Sequence, residues 1–129
     1  MDKTVIVIIL IVVVLGVGFF LWQYKPIPQN PVSPTPLPTG IIFFYSNTCP
    51  HCKNVEDFVA QNNIADKIKF ISLEVSENQA NAQLFINTGE SCKLGSDSLG
   101  AVPMLYDGSK CYVGDVDIIN FFKNAAGIK

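Results

Sequence analysis

The sequence predicts an α/β domain, a mixed four-stranded sheet with flanking helices, preceded by one transmembrane helix. Three observations carry that expectation. Residues 4–22, TVIVIILIVVVLGVGFFLW, contain no charge. Residues 26–39, PIPQNPVSPTPLPT, contain six prolines. From residue 40 to residue 129, short β-type runs alternate with helical patterns in the order β-α-β-α-β-β-α. The expected divisions are therefore an anchor over 1–25, a linker over 26–39 and a folded domain over 40–129.

A helix over residues 4–22 rises roughly 28 Å at about 1.5 Å per residue, near the thickness of a bilayer's hydrocarbon core. Trp22 and Tyr24 stand where an interfacial aromatic belt forms, and Lys25 follows them. A cleaved signal peptide is the competing reading. Gly16 and Gly18 have the small-x-small spacing of a cleavage site, but Phe19, Phe20 and Leu21 continue the apolar run beyond it. An uncleaved single-pass anchor is the expectation. Lys3 and Lys25 balance each other in the positive-inside count, so orientation rests on the short head before the span, which favours an exported domain. The proline-rich stretch can neither continue a helix nor pair within a sheet. It reads as a semi-rigid spacer holding the domain roughly 40 Å from the bilayer.

In the folded domain, IIFFY (41–45) is a continuous apolar run, the pattern of a strand covered on both faces. A helix is expected to start at Thr48–Pro50, where proline at the first helical position loses no bond. Val55, Phe58 and Val59 line one face of it, and Asn62-Asn63 end it. Residues 67–75 read as a second strand. Ser76-Glu77-Asn78-Gln79 has the spacing of a capping box, opening a helix through Ile86 that Gly89 closes. Residues 103–106 and 110–113 form a hairpin around Asp107-Gly108. Asp115 caps a last helix with Ile118, Ile119 and Phe122 on one face, ending near Gly127.

Net charge is −2 and the chain has no arginine. Nucleic acid, whose phosphates require a concentrated basic surface, is therefore not an expected partner.

The chemistry concentrates in CPHC, Cys49-Pro50-His51-Cys52. Zinc needs four ligands, commonly two close pairs, and the other two cysteines, Cys92 and Cys111, are far apart in sequence. A purely structural staple is disfavoured, because closing so short a loop removes little entropy from the unfolded chain. A redox pair fits best. Cys49 falls at a helix N-terminus, where free amides and the positive dipole end stabilise the attacking thiolate. Cys52 lies one turn deeper, on the same side as Val55, as the shielded resolving thiol. His51, the only histidine, is read as a tuner of the Cys49 thiolate through its charge or a donated hydrogen bond. No metal and no organic cofactor is required.

A strand ending just before CxxC at a helix start, with Val102-Pro103 opening a later hairpin, resembles the thioredoxin-like superfamily over residues 40–129. FYSNTCPHC resembles both glutaredoxins and DsbA-type oxidoreductases, and Pro-His within the motif is the DsbA-like choice. The missing long helical insertion implies the smaller, glutaredoxin-like domain. The resemblance implies that Pro103 is a cis-proline beside the disulfide and that the backbone of Val102 pairs with an extended substrate chain. AVPMLYDGSKCYVGDVD also resembles the glutaredoxin pattern of TVP followed by a glycine-rich stretch and an acidic pair, with Ala101 in place of threonine. That likeness implies a glutathione or anion site at Gly114 and Asp115, although Asp115 is equally explained as an N-cap.

In an exported domain, a second disulfide between Cys92 and Cys111 would tie the loop before Pro103 to the hairpin's outer strand, stabilising by roughly 2–4 kcal/mol. Free thiols in a reducing compartment, or an electron relay to CPHC, are the alternatives.

The functional expectation is a membrane-anchored thiol–disulfide oxidoreductase whose domain lies outside the cytoplasm. Its partners would be protein thiols and disulfides and a membrane or soluble redox-recycling protein. Oligomeric state has no signal in the sequence. A glutathione-dependent glutaredoxin-like reductase is one rival. A non-catalytic anchored module binding zinc or extended peptides is the other.

Overall fold

The computed structural model describes residues 3–23 and 39–128, without the side chains of residues 6–11 and 21–23. The chain divides into two units, residues 1–33 and 34–129. The first contains α1, Lys3–Gln23, a helix of 21 residues. Among the described residues no helix is long and apolar enough to cross a membrane, so the transmembrane assignment is not carried by the fold itself. Much of the stretch on which it rests has no described side chains. The expected linker falls almost wholly on residues 24–38, outside the described residues.

The second unit runs β1 (Ile41–Tyr45), α2 (Pro50–Gln61), α3 (Ile64–Lys67), β2 (Phe70–Glu74), α4 (Gln79–Ser91), β3 (Met104–Tyr106), β4 (Cys111–Val113) and α5 (Asp115–Ala126). The sheet order is β2-β1-β3-β4. β1 pairs parallel to β2 and antiparallel to β3, and β3 pairs antiparallel to β4. This is a mixed four-stranded sheet with flanking helices, as the sequence predicts.

Alternation along β1 and β3 sorts the core onto two faces. Ile42, Phe44, Met104 and Tyr106 pack with Phe85 of α4 on one face. Phe43 and Leu105 pack with Val55, Ile64, Ile118 and Phe122 on the other, under α2, α3 and α5. Both faces of β1 are covered, which explains its unbroken apolar sequence. Each fully buried side chain of this size contributes about 1.5–3 kcal/mol.

Several boundaries differ from the sequence expectation. The second strand begins at Phe70, because residues 64–67 form the short helix α3, whose Ile64 is buried. The cap of α4 is Asn78, which accepts from the Asn81 amide at 3.1 Å. Ser76 instead gives its hydroxyl to Glu74. Nor does Gly89 close α4, which continues to Ser91. An added Cβ at Gly89 would stand 2.8 Å from Leu99 Cδ1, so this glycine serves the close packing of the following loop. The hairpin turn is a four-residue loop over 107–110, in which Asp107 Oδ1 accepts from the amides of Ser109 and Lys110. Asp115 does not cap α5: Gly114 holds the N-cap position at φ 93° and ψ 153°, and Asp115 is the first helical residue.

Candidate functional site

β1 delivers the chain to a tight turn at its C-terminal end, where the Cys49 amide donates to the Ser46 carbonyl at 3.1 Å. Ser46 Oγ also donates to Ser76 Oγ at 3.1 Å, joining this turn to the segment after β2. Cys49 then takes the N-cap position of α2, with Pro50 at the first helical position. A capping side chain normally offers oxygen to the free amides of the first turn. Here the cap is sulfur: the Cys52 amide donates to Cys49 Sγ at 3.3 Å. The same amide and the positive end of the helix are positioned to stabilise a thiolate at Cys49.

Cys49 and Cys52 are both free thiols, the first half-buried and the second 1% exposed. Burial pushes the Cys52 thiol up to about 12, and hydrogen bonding with Cys49 adds to the effect. At neutral pH Cys52 is therefore a protonated, sheltered sulfur beneath an accessible one.

The opposite wall is the segment before β3. The Val102-Pro103 peptide is cis, and the Cys49 thiol donates to the Val102 carbonyl at 3.6 Å. The Pro103 carbonyl accepts from the Gly114 amide at 2.9 Å, which connects this wall to the start of α5. Gly114 can do this because its positive φ lies in a region that side chains rarely adopt.

His51 is exposed, and its Nδ1 lies 3.1 Å from Asp115 Oδ2. A carboxylate only accepts, so Nδ1 carries the proton in that bond. The described partner of the imidazole is thus Asp115, where the sequence suggested the Cys49 sulfur. Asn54 Nδ2 donates to the same carboxylate oxygen at 2.6 Å, and the Val116 amide donates to Oδ1 at 3.1 Å. The Asn54 and His51 bonds hold the Asp115 carboxyl down at about 2. Asn54 had no place in the sequence reading. Its i+3 spacing from His51, which puts both on one helix face, was the available signal.

The expected glutathione or anion site at Gly114 and Asp115 meets competition within the chain. The Gly114 amide is bonded to Pro103, the Val116 amide to Asp115, and the carboxylate itself stands where an anion would bind. Cys92 and Cys111 are joined in a disulfide that links the end of α4 to β4. A zinc site built from all four cysteines is therefore not formed. No group of three or more potential metal ligands occurs among the described residues.

No family model matches the chain, and no curated protein matches it. Among solved structures it is similar to reduced glutaredoxin C1 from Populus tremula x tremuloides, at 18% identity over 70% of this chain and 68% of that one, with a TM-score of 0.47. It is similar to glutaredoxin grx-1 from Archaeoglobus fulgidus at 19% identity, over 67% of this chain and 85% of that one, TM-score 0.46. A buckwheat glutaredoxin in complex with glutathione matches at 16% identity, over 69% of this chain and 71% of that one, TM-score 0.47.

Proposed function

We propose that this chain is a membrane-anchored thiol–disulfide oxidoreductase acting on protein thiols and disulfides outside the cytoplasm, with Cys49 as nucleophile and Cys52 as resolving thiol. The observation that carries the reading is the pairing of an accessible sulfur at the cap of α2 with a buried, protonated one a turn below.

In the reducing direction, Cys49 thiolate attacks one sulfur of a substrate disulfide. A Cys49–substrate bond forms, and the other substrate sulfur leaves as a thiolate. Cys52 then gives its proton to that thiolate or to solvent and attacks Cys49 Sγ. The Cys49–Cys52 bond forms, and the second substrate sulfur leaves and takes up a proton. The substrate gains two electrons and the CPHC pair loses them. The reverse sequence oxidises a substrate dithiol, and turnover in either direction needs the redox-recycling partner. The Val102 backbone, beside Cys49, is the segment on which an extended substrate chain would align its sulfur.

Anchoring rests on residues 4–22 and on α1, in which Val12, Val13, Val14 and Leu15 are successive exposed apolar residues that cover every side of the helix. Glutathione is the rival small substrate. The engagement of the Gly114 and Val116 amides within the chain favours protein substrates over it.

The test equilibrates the full chain, in detergent, with glutathione buffers of known ratio, traps thiols with a mass tag and reads the Cys49–Cys52 fraction. A potential near or above about −150 mV makes it a disulfide donor, and one near about −270 mV a reductase. If no disulfide forms between Cys49 and Cys52, the redox reading is wrong and a non-catalytic binding module replaces it.

A further inference from the structure

His51 sits between the two cysteines in sequence, yet its imidazole is held from another helix. Asp115, at the first position of α5, accepts from Nδ1 across the gap between α5 and α2. The acceptor is itself fixed. Its side chain is 18% exposed, Asn54 donates to the same oxygen, and the Val116 amide donates to the other. Gly114, whose amide is tied to Pro103 beside Cys49, sets where α5 begins. The carboxylate is thus built into the scaffold, whereas the imidazole it holds is 69% exposed. The nearest lysine in sequence, Lys53, is paired with Asp57 at 2.7 Å, and the charge of α2 that acts on Cys52 is Glu56.

We propose that Asp115 is a positioning residue that sets the redox poise of the Cys49–Cys52 pair by holding His51 through Nδ1. With that nitrogen engaged, only Nε2 is left to face a sulfur, and the positive charge of a protonated ring is shared with a fixed anion. The imidazole that would otherwise turn toward a Cys49 thiolate is restrained. Stabilising the reduced form makes a disulfide more oxidising, so Asp115 holds this CPHC pair below the oxidising power the motif alone would give. Asp115 touches neither reacting sulfur and acts only through His51. This inference rests on the redox reading of Cys49 and Cys52.

The experiment measures the equilibrium constant for Cys49–Cys52 disulfide plus two glutathione thiols giving the dithiol and one glutathione disulfide. It uses the full chain and the variants Asp115→Asn, Asp115→Glu, His51→Ala and the Asp115→Asn/His51→Ala pair. Asp115→Asn is expected to raise the constant about tenfold, a shift of about 30 mV toward oxidising. His51→Ala, which removes the imidazole through which Asp115 acts, is expected to lower it, and Asp115→Glu to restore it to within threefold of the parent. In the His51→Ala background, Asp115→Asn is expected to change it less than threefold. A purely structural role predicts no such opposition of sign. An unchanged constant in Asp115→Asn, or the same tenfold rise without His51, overturns the proposal. If Asp115→Asn does not fold, the exposed His51→Ala variant decides alone: a constant that stays level or rises is fatal. Failure of the parent chain to form the disulfide would sink the redox reading instead, so the two failures are distinguishable.

Discussion

The molecule contains two cysteine pairs built from the same side chain under different physical regimes. Cys49 and Cys52 stand three positions apart at the start of α2, where the backbone supplies an amide donor to the outer sulfur. Cys92 and Cys111 are 19 positions apart, at the end of α4 and on β4, with Cys111 packed into the core face beneath α4. The Cys111 sulfur's other polar neighbour is the Thr88 carbonyl, at 3.8 Å, an acceptor that does nothing to stabilise a thiolate. Closing a loop of three residues removes little chain entropy, whereas closing one of 19 removes more. On the proposed reading, the first pair is placed to react and the second to restrain. Spacing and local donors, more than residue type, divide chemistry from scaffolding here.

The largest expected effect tests the first half of that contrast. Cys49→Ser should reduce disulfide turnover to background, measured as reduction or oxidation of a protein substrate. Cys52→Ser should leave Cys49 attached to substrate as a mixed disulfide, visible as an added mass on a non-reducing gel. Turnover surviving in Cys49→Ser would remove the distinction between the pairs.

The second half is tested by Cys92→Ser combined with Cys111→Ser. Unfolding free energy should fall by about 3 kcal/mol in a urea titration, from the loop-closure term. The CPHC potential should stay where it was while the protein remains folded. A changed potential in the folded double variant would instead make the second pair an electron relay. Smaller again is Gly114→Ala. A side chain at its φ of 93° is expected to cost about 1–3 kcal/mol, read as a lowered urea midpoint.

The smallest effect is electrostatic. The Asp115 carboxyl sits at about 2 against an ordinary 3.8. A depressed carboxyl contributes stability that is fully present above the ordinary value and is lost as pH falls toward about 2. Asp115→Asn should therefore flatten the acid limb of the stability curve between about pH 4 and pH 2. A limb unchanged in that variant would show that the contact with His51 and Asn54 adds nothing to folding.

What the sequence made legible was the local part of this design. IIFFY, Pro50 after Cys49 and Asp107-Gly108 each fix their own backbone through propensity or missing donors, and each sits where that local rule puts it. The cis-proline at Pro103 was legible through resemblance, not from its neighbours. Where two local signals competed, the pattern misled. Ser76 and Asn78 are both good caps, and the hydroxyl of Ser76 is drawn to Glu74, leaving Asn78 to open the helix. Gly89 looked like a stop but is a packing position, because Leu99 from a later loop lies against it. Asp115 looked like a cap but turns to α2, a choice set by residues more than sixty positions earlier. The first miss is one local contact outcompeting another, and the other two are contacts from later or earlier elements overriding a propensity of about 1 kcal/mol or less.

The register of β1 against β3 also constrains the order in which the site is assembled. Phe44 stands opposite Met104, about sixty residues later, and that pairing carries Val102 to Cys49. Contacts so distant in sequence form only after a long loop has been closed. As the chain is synthesised from its N-terminus, CPHC emerges long before the strand that completes the wall opposite Cys49. Until residues 102–106 dock, Cys49 and Cys52 stand at the start of a helix beside an unfinished sheet, and Cys92 emerges among thiols it must not join. The Val102 wall beside Cys49 is therefore in place only once the last quarter of the chain has docked, so the proposed activity would be acquired only on completion of the fold.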